Sequence, residues 1–239
     1  MTEVDIAVTI APKKKLSQSI KDDLIKFQDS IEIIELRIDQ WSKFDLSHIS
    51  QIVEDIHNLN LGKKLLVTYR TSAQGGEGVL TGEAYIHALS ELLKLNYIDL
   101  IDIEYEPKNE PQALRDLIGQ FQQRQIQVVL SYHDFNKTPK LDDLKHLYFK
   151  MHQLTPDYLK VAVMPSSKQD VLNLLSAMSD TSDSVSQQVV GIAMSDLGVI
   201  SRTAQGVFGG SVTYGCLDSP KAPGQIHVET LKQQLKFYK

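Results

Sequence analysis

Only one of the 239 residues is a cysteine, Cys216. An intrachain disulfide is impossible, and a reducing compartment, the cytoplasm, is the expectation. Basic charge is not in excess. Lys and Arg number 25 against 30 Asp and Glu, a net charge of -5, which argues against a nucleic-acid or anionic-membrane partner. The one run of like charge, Lys13-Lys14-Lys15, reads as a solvated loop. No apolar stretch approaches the roughly 20 residues that a membrane span needs. The opening MTEVDIAVTIAP carries acids early and only a short apolar run, and is not read as a signal peptide. There is no GxGxxG, no Walker pattern, no HExxH and no Cys/His cluster at ligand spacing. The usual dinucleotide, P-loop and zinc signatures are therefore missing.

What the chain does have is alternation. Short apolar runs at 5–10, 31–38, 64–70, 97–105, 126–133, 158–164, 188–194 and 206–214 read as strands. Between and after them, 16–28, 44–58, 82–95, 110–123, 141–153, 167–179, 195–204 and 224–238 read as helices. In 82–95 the apolar residues Ala84, Tyr85, Ala88, Leu89, Leu92 and Leu93 recur at helical spacing. Strand–helix alternation implies parallel pairing through βαβ crossovers. Eight such units in roughly 240 residues match the (β/α)8 barrel in count and length. The expectation is a single-domain TIM barrel over residues 1–239. The polar stretch 179–188 reads as a surface loop before strand seven.

In such a barrel, functional groups sit at the C-terminal ends of the strands. Strand two ends in ELRID, placing Glu35, Arg37 and Asp39 two apart on one face. Strand three ends in Thr68 and Arg70, strand four carries Asp102 and Glu104, and strand five ends in Ser131 and His133. Strand six carries Lys160, and strand eight Ser211 and Thr213. If the strands close, these groups converge on one mouth.

Lys160 lies inside the apolar run YLKVAVM. One reading is a lysine that snorkels to the barrel rim. The other is a Schiff-base nucleophile, its amine kept neutral by apolar neighbours and nearby cations. Arg37, Arg70 and Arg202 supply such cations, or hold a substrate carboxylate. His133 is the natural proton carrier, because the other six histidines fall in helical patterns or at their edges. A carboxylate–histidine metal site at the mouth stays open on these residues alone. So does a phosphate site at Gly209 and Gly210, since barrels often bind phosphate near strand eight. The stretches QGGEG (74–78) and SPKAPGQ (219–225) read as loops over the mouth.

Taken together, ELRID (35–39), TYRT with GGEG (68–78), DIE (102–104), SYHDF (131–135), LKVAVM (159–164), SRTAQGVFGGSVTY (201–214) and APGQ (222–225) resemble the type I 3-dehydroquinate dehydratase family over nearly the whole length. The resemblance implies a (β/α)8 barrel, a homodimer, and no metal or organic cofactor. It also implies a hydro-lyase of the shikimate pathway, in aromatic amino acid biosynthesis, acting on the small molecule 3-dehydroquinate. Lys160 falls on the family's Schiff-base lysine and His133 on its general acid/base. Glu35, Arg37, Arg70, Arg202 and Gln225 fall on substrate-binding positions. Two residues depart from the pattern. Gln74 stands where members often carry a glutamate paired with the histidine, and Lys221 where many carry serine. Gln74, Asp102, Glu104, Ser211 and Lys221 are kept as orienting or lid positions, with Asp102 or Glu104 a candidate substitute for the missing glutamate. A class I aldolase and a catalytically idle barrel are the rival readings.

Overall fold

The computed structural model describes residues 3–41, 43–107 and 111–238. Its eight strands are β1 (Asp5–Ile10), β2 (Ile33–Arg37), β3 (Lys64–Thr68), β4 (Leu100–Glu104), β5 (Gln127–Asp134), β6 (Tyr158–Val163), β7 (Gln188–Ala193) and β8 (Val212–Gly215). They pair in parallel in the order β7-β6-β5-β4-β3-β2-β1-β8. The gap between β7 and β8 is bridged by Val189 against Gly210 and by the Ser211 N–H donating to the Val189 carbonyl. The result is a nearly closed (β/α)8 barrel.

The helices are α1 (Gln18–Lys26), α2 (Leu46–His57), α3 (Gly82–Glu91), α4 (Pro111–Gln123), α5 (Leu141–His152), α6 (Lys168–Ser182), α7 (Val199–Thr203) and α8 (Val228–Leu235). Among the described residues, the starts of α1, α2, α6 and α8 carry side-chain caps. The Asp45 carboxylate accepts from the Ser47 and His48 N–H groups at α2. Ser167 and Asp170 cap each other's backbone at α6, satisfying donors that the first turn leaves open. The longer helices lay apolar stripes on the sheet. In α2 the stripe is Ile49, Ile52, Val53 and Ile56.

Period-two alternation then divides every strand. In β6, Leu159, Val161 and Val163 join the outer core beneath the helices. Tyr158 and Ala162 face the barrel interior, and Lys160 shares their face. The interior has an apolar floor built from Ala7, Ile33, Leu66, Leu100, Val129, Tyr158, Val190 and Val212. Above it come the polar residues Thr9, Glu35, Thr68, Asp102, Ser131 and Lys160, all buried.

Several expectations need correction. The stretch 206–214 is not all strand. Gln205–Phe208 is a 3-10 turn closed by Gly209 at φ 80, and β8 begins only at Val212. Pairing sets Ser211, Gly209 and Gly210 beside Val189, near the start of β7. They therefore lie at the end of the barrel opposite the mouth, where phosphate is not bound. The stretch 195–204 is a 3-10 turn, Asp196–Gly198, followed by the short α7. The stretch 224–227 is loop, because Gly224 sits at φ 76 and His227 caps α8. The polar patch 179–188 is helical through Ser182. Residue 110, the first of the expected fourth helix, lies outside the described residues. Lys13, Lys14 and Lys15 are exposed after β1, and none of the six other histidines is buried.

Candidate active site

The mouth is a cleft with two unlike walls. Glu35, Arg37, Arg70, Gln74 and His133, from β2, β3 and β5 and the loop after β3, line one side. Ala162, Ile192, Met194 and Tyr214, from β6 to β8, make the other side apolar. Lys160 sits between them, and Arg202, Lys221, Ala222 and Gln225 close the rim. Eleven of the twelve expected site residues meet at this end. Nine line the cleft. Asp102 and Glu104 stand just behind Arg70. Ser211 is not brought in, and its hydroxyl donates to the Val189 carbonyl at the opposite end.

Lys160 does not snorkel, being only 5% exposed. Its amine lies 3.9 Å from Asp102 Oδ2 and 4.1 Å from the centre of the Tyr214 ring. Burial pulls its pKa below the ordinary lysine value. Glu35 and Asp102 oppose that pull, and Arg70 and Arg37 reinforce it. The expected cationic surround is therefore made by Arg70 and Arg37, while Arg202 lies elsewhere on the rim.

Glu35 accepts from the Thr9 hydroxyl at 2.6 Å and the Thr68 hydroxyl at 2.9 Å. Burial disfavours its charge, but Lys160, Arg37 and Thr9 outweigh burial and hold it below the usual carboxylate range. Arg37 makes a two-pronged pair with Asp39, at 2.7 and 2.8 Å. Arg70 is buried between Asp102 at 2.9 Å and Glu104 at 3.0 Å, and also donates to the Ser131 hydroxyl. Desolvation works against its charge, yet the two carboxylates raise its pKa. Arg70→Met should destabilise the fold by about 3–5 kcal/mol, since it leaves two buried carboxylates without a cation. Denaturant midpoints measure this, and a loss below about 1 kcal/mol would contradict the buried pairing.

Asp102 and Glu104 do not orient His133, because both are turned to Arg70. The orienting contact is Gln74. Its Oε1 accepts from the His133 backbone N–H at 2.8 Å and lies 3.3 Å from ring Nδ1. Burial first, then Arg70, Lys160 and Arg37, push His133 well below the usual histidine pKa. A neutral imidazole and a lysine biased toward the free amine thus share one cleft.

Arg202 is nearly fully buried, yet it has no carboxylate partner among the described residues. It donates to the carbonyls of Tyr214 and Pro223, and its Nε has no partner. Burial lowers its pKa to about 10, which leaves it cationic at neutral pH. A buried cation facing a cleft without a counter-ion calls for an anionic ligand. Gln225 Oε1 accepts from the Lys221 and Ala222 N–H groups at 2.6 and 3.3 Å, fixing the rim loop. No cluster of three or more His, Cys, Asp or Glu suited to a metal ion occurs among the described residues. Among the described residues, no helix is long and apolar enough to cross a membrane.

Asp39 was visible in ELRID, but its role was not. It accepts from the Arg70 and Glu77 N–H groups as well as from Arg37, tying the loop after β3 to the end of β2. Tyr214 and Thr9 also serve the site, and only their inward period-two positions could have signalled it; Ser131, expected at the end of strand five, accepts from Arg70 and donates to Asp102.

The type I 3-dehydroquinase family model matches residues 6–239. The 3-dehydroquinate dehydratase of Staphylococcus saprophyticus subsp. saprophyticus is 62% identical over 238 residues, covering 100% of both chains. Among solved structures, the type I 3-dehydroquinate dehydratase of Clostridium difficile, with covalently modified comenic acid, superposes with a TM-score of 0.86. It is 28% identical and covers 100% of this chain and 93% of its own. The 3-dehydroquinate dehydratase of Geobacillus kaustophilus gives a TM-score of 0.90 at 25% identity, over 99% and 91% of the two chains. With a family model matched over residues 6–239 and a relative 62% identical over the full length, the chain belongs to the type I 3-dehydroquinase family of hydro-lyases.

Proposed function

We propose that this chain converts 3-dehydroquinate to 3-dehydroshikimate, in the shikimate pathway, through a Schiff base on Lys160 and a syn elimination run by His133. The observation that supports this most is the inward-facing, buried Lys160 with its pKa lowered, in the same cleft as a neutral His133. The free amine adds to the C3 ketone, and the carbinolamine takes up one proton from solvent and loses water to leave a protonated imine, a proton that the final hydrolysis gives back. The imine withdraws electrons, so His133 removes the C2 proton as general base. The enamine pair then expels the C1 hydroxyl, which takes its proton from His133 and departs as water. Water adds to the product imine, releasing the enone and the lysine amine. One histidine that accepts and returns the proton on one face suits syn geometry.

Arg202 supplies the cation for the substrate carboxylate. Glu35, Arg37 and Arg70 face the substrate hydroxyls and position the ring, and Gln225 and Lys221 shape the rim. The reading includes a homodimer, as the resemblance implies, and the reducing cytoplasm expected from the single cysteine. It needs no cofactor.

The deciding experiment is intact-protein mass after borohydride reduction in the presence of 3-dehydroquinate, followed by peptide mapping. A reduced adduct on Lys160 is expected. Folded protein that makes the enone without an adduct would sink the imine route. Arg202→Ala should raise KM roughly 10–100-fold, the loss of one or two charge-assisted hydrogen bonds, with a smaller change in kcat. An unchanged KM in steady-state assays would remove Arg202 from carboxylate binding.

A further inference from the structure

His133 can carry its proton on either ring nitrogen, and the chemistry depends on which. The protein answers through Gln74. The Gln74 Nε2 donates to the Tyr105 carbonyl at 3.1 Å, a group that can only accept. Its Oε1 receives the His133 backbone N–H at 2.8 Å, a group that can only donate. Turning the amide over would set donor against donor and acceptor against acceptor, so its orientation is fixed twice by backbone. The same Oε1 lies 3.3 Å from His133 Nδ1. An amide oxygen only accepts, so Nδ1 must hold the hydrogen. The lone pair is then on Nε2, for which no partner occurs among the described residues.

The amide is held rigidly. The loop bearing it is clamped by Asp39, which accepts from the Arg70 and Glu77 N–H groups. On the other flank Glu104 accepts from the Thr71 N–H at 2.8 Å and the Thr71 hydroxyl at 2.7 Å. Gly76 fits because a Cβ there would meet the Arg70 carbonyl oxygen at 2.1 Å.

We propose that Gln74 is a positioning residue that locks His133 as the Nδ1–H tautomer, leaving Nε2 as the sole proton-transfer atom, and that its uncharged amide sets how far into acid the enzyme keeps working. This rests on His133 as the acid/base of the reaction proposed above. The charged groups facing His133 are Arg70 from the end of β3, Lys160 from β6 and Arg37 from β2. The carboxylates of the neighbouring strands are engaged elsewhere: Asp102 and Glu104 on Arg70, Asp39 on Arg37, and Glu35 on Thr9 and Thr68. On its own strand, Asp134 is turned to the Asn136 and Lys137 N–H groups. Among the described residues no free anion therefore favours the imidazolium, and Gln74 adds none. A carboxylate in its place would accept from Nδ1 equally well but would favour the charged ring.

The test is the pH profile of kcat with 15N NMR of the His133 ring. The unaltered protein should show protonated Nδ1 and bare Nε2. Gln74→Glu should keep that tautomer and move the acid limb of kcat upward by about one to three pH units. Gln74→Met, which cannot accept, should cut kcat on the order of 10–100-fold, as for other orienting partners of histidine, with KM little changed. A proton on Nε2 in the unaltered protein, or an acid limb in Gln74→Glu that coincides with that of the unaltered protein, would overturn the proposal. Borohydride trapping on Lys160 runs in parallel. Its failure would remove the imine route while leaving the NMR tautomer result standing.

Discussion

Lys160→Ala is expected to abolish dehydration, by roughly 10⁵–10⁶-fold, the scale seen when a covalent nucleophile is removed from an enzyme. Lys160 is the only lysine among the described cleft-lining residues that is buried, and the other lining amine, Lys221, is exposed on the rim and donates to the Ser219 hydroxyl. Removal of Lys160 should not unfold the barrel. Glu35 keeps Thr9, Thr68 and Arg37, and Asp102 keeps Arg70. Substrate should still bind, because Arg202 and the rim are untouched, and calorimetry with 3-dehydroquinate would register it. The informative pattern is binding without turnover and without a borohydride adduct. Near-normal turnover in this variant would end the Schiff-base account.

The second large effect is His133→Ala, for which kcat should fall about 10²–10⁴-fold, the usual share of a general acid/base. The lysine remains, so the imine forms and then waits. Borohydride should trap more adduct per enzyme during turnover than in the unaltered protein. Loss of rate with no rise in trapped imine would place His133 before imine formation. The pH dependence has a fixed sign. His133 must be neutral to accept the C2 proton, and burial with the nearby cations Arg70, Lys160 and Arg37 holds its pKa well below 6.5. Activity limited by this group is present above that lowered value and is lost as pH falls through it. The acid limb of kcat, which reports the imine complex rather than the free lysine, should therefore lie below pH 6.5. A limb above that would show that the cations do not govern the ring.

The barrel and most of the mouth were legible because both obey a period. Alternation of apolar runs and amphipathic stretches gave the eight units, and period-two spacing placed Glu35, Arg70, His133 and Lys160 on inward faces. Where the sequence misled, backbone conformation was the cause. The run GVFGG looks extended by composition. Gly209 at φ 80 instead ends a 3-10 turn, and Gly210 lies so close to Gln205 that a Cβ would meet its side chain at 2.6 Å. That shift moved the start of β8 and left Ser211 at the wrong end for chemistry. The roles of Gln74 and Asp39 were not legible either. They depend on which of two chemically similar acceptors reaches a given N–H across 31 to 59 residues of chain, and local spacing carries no such information. Asp102 and Glu104 looked like partners for a histidine in sequence, but a buried guanidinium is the stronger claimant for both.

The apolar floor beneath Lys160 has a consequence for traffic. With Ala7, Ile33, Leu66, Leu100, Val129, Tyr158, Val190 and Val212 filling the interior, the barrel is a dead end, and everything the reaction consumes or yields shares one doorway. In the proposed route, imine formation sheds one water, elimination sheds another, and hydrolysis takes one back. The acid must enter past Arg202 and the Gln225 loop, and its product must leave by that same path with the surplus water. Departure of one turnover and arrival of the next therefore compete for a single passage. An anion crowding that passage would slow the enzyme from either side of the reaction, as substrate in excess or as product not yet cleared.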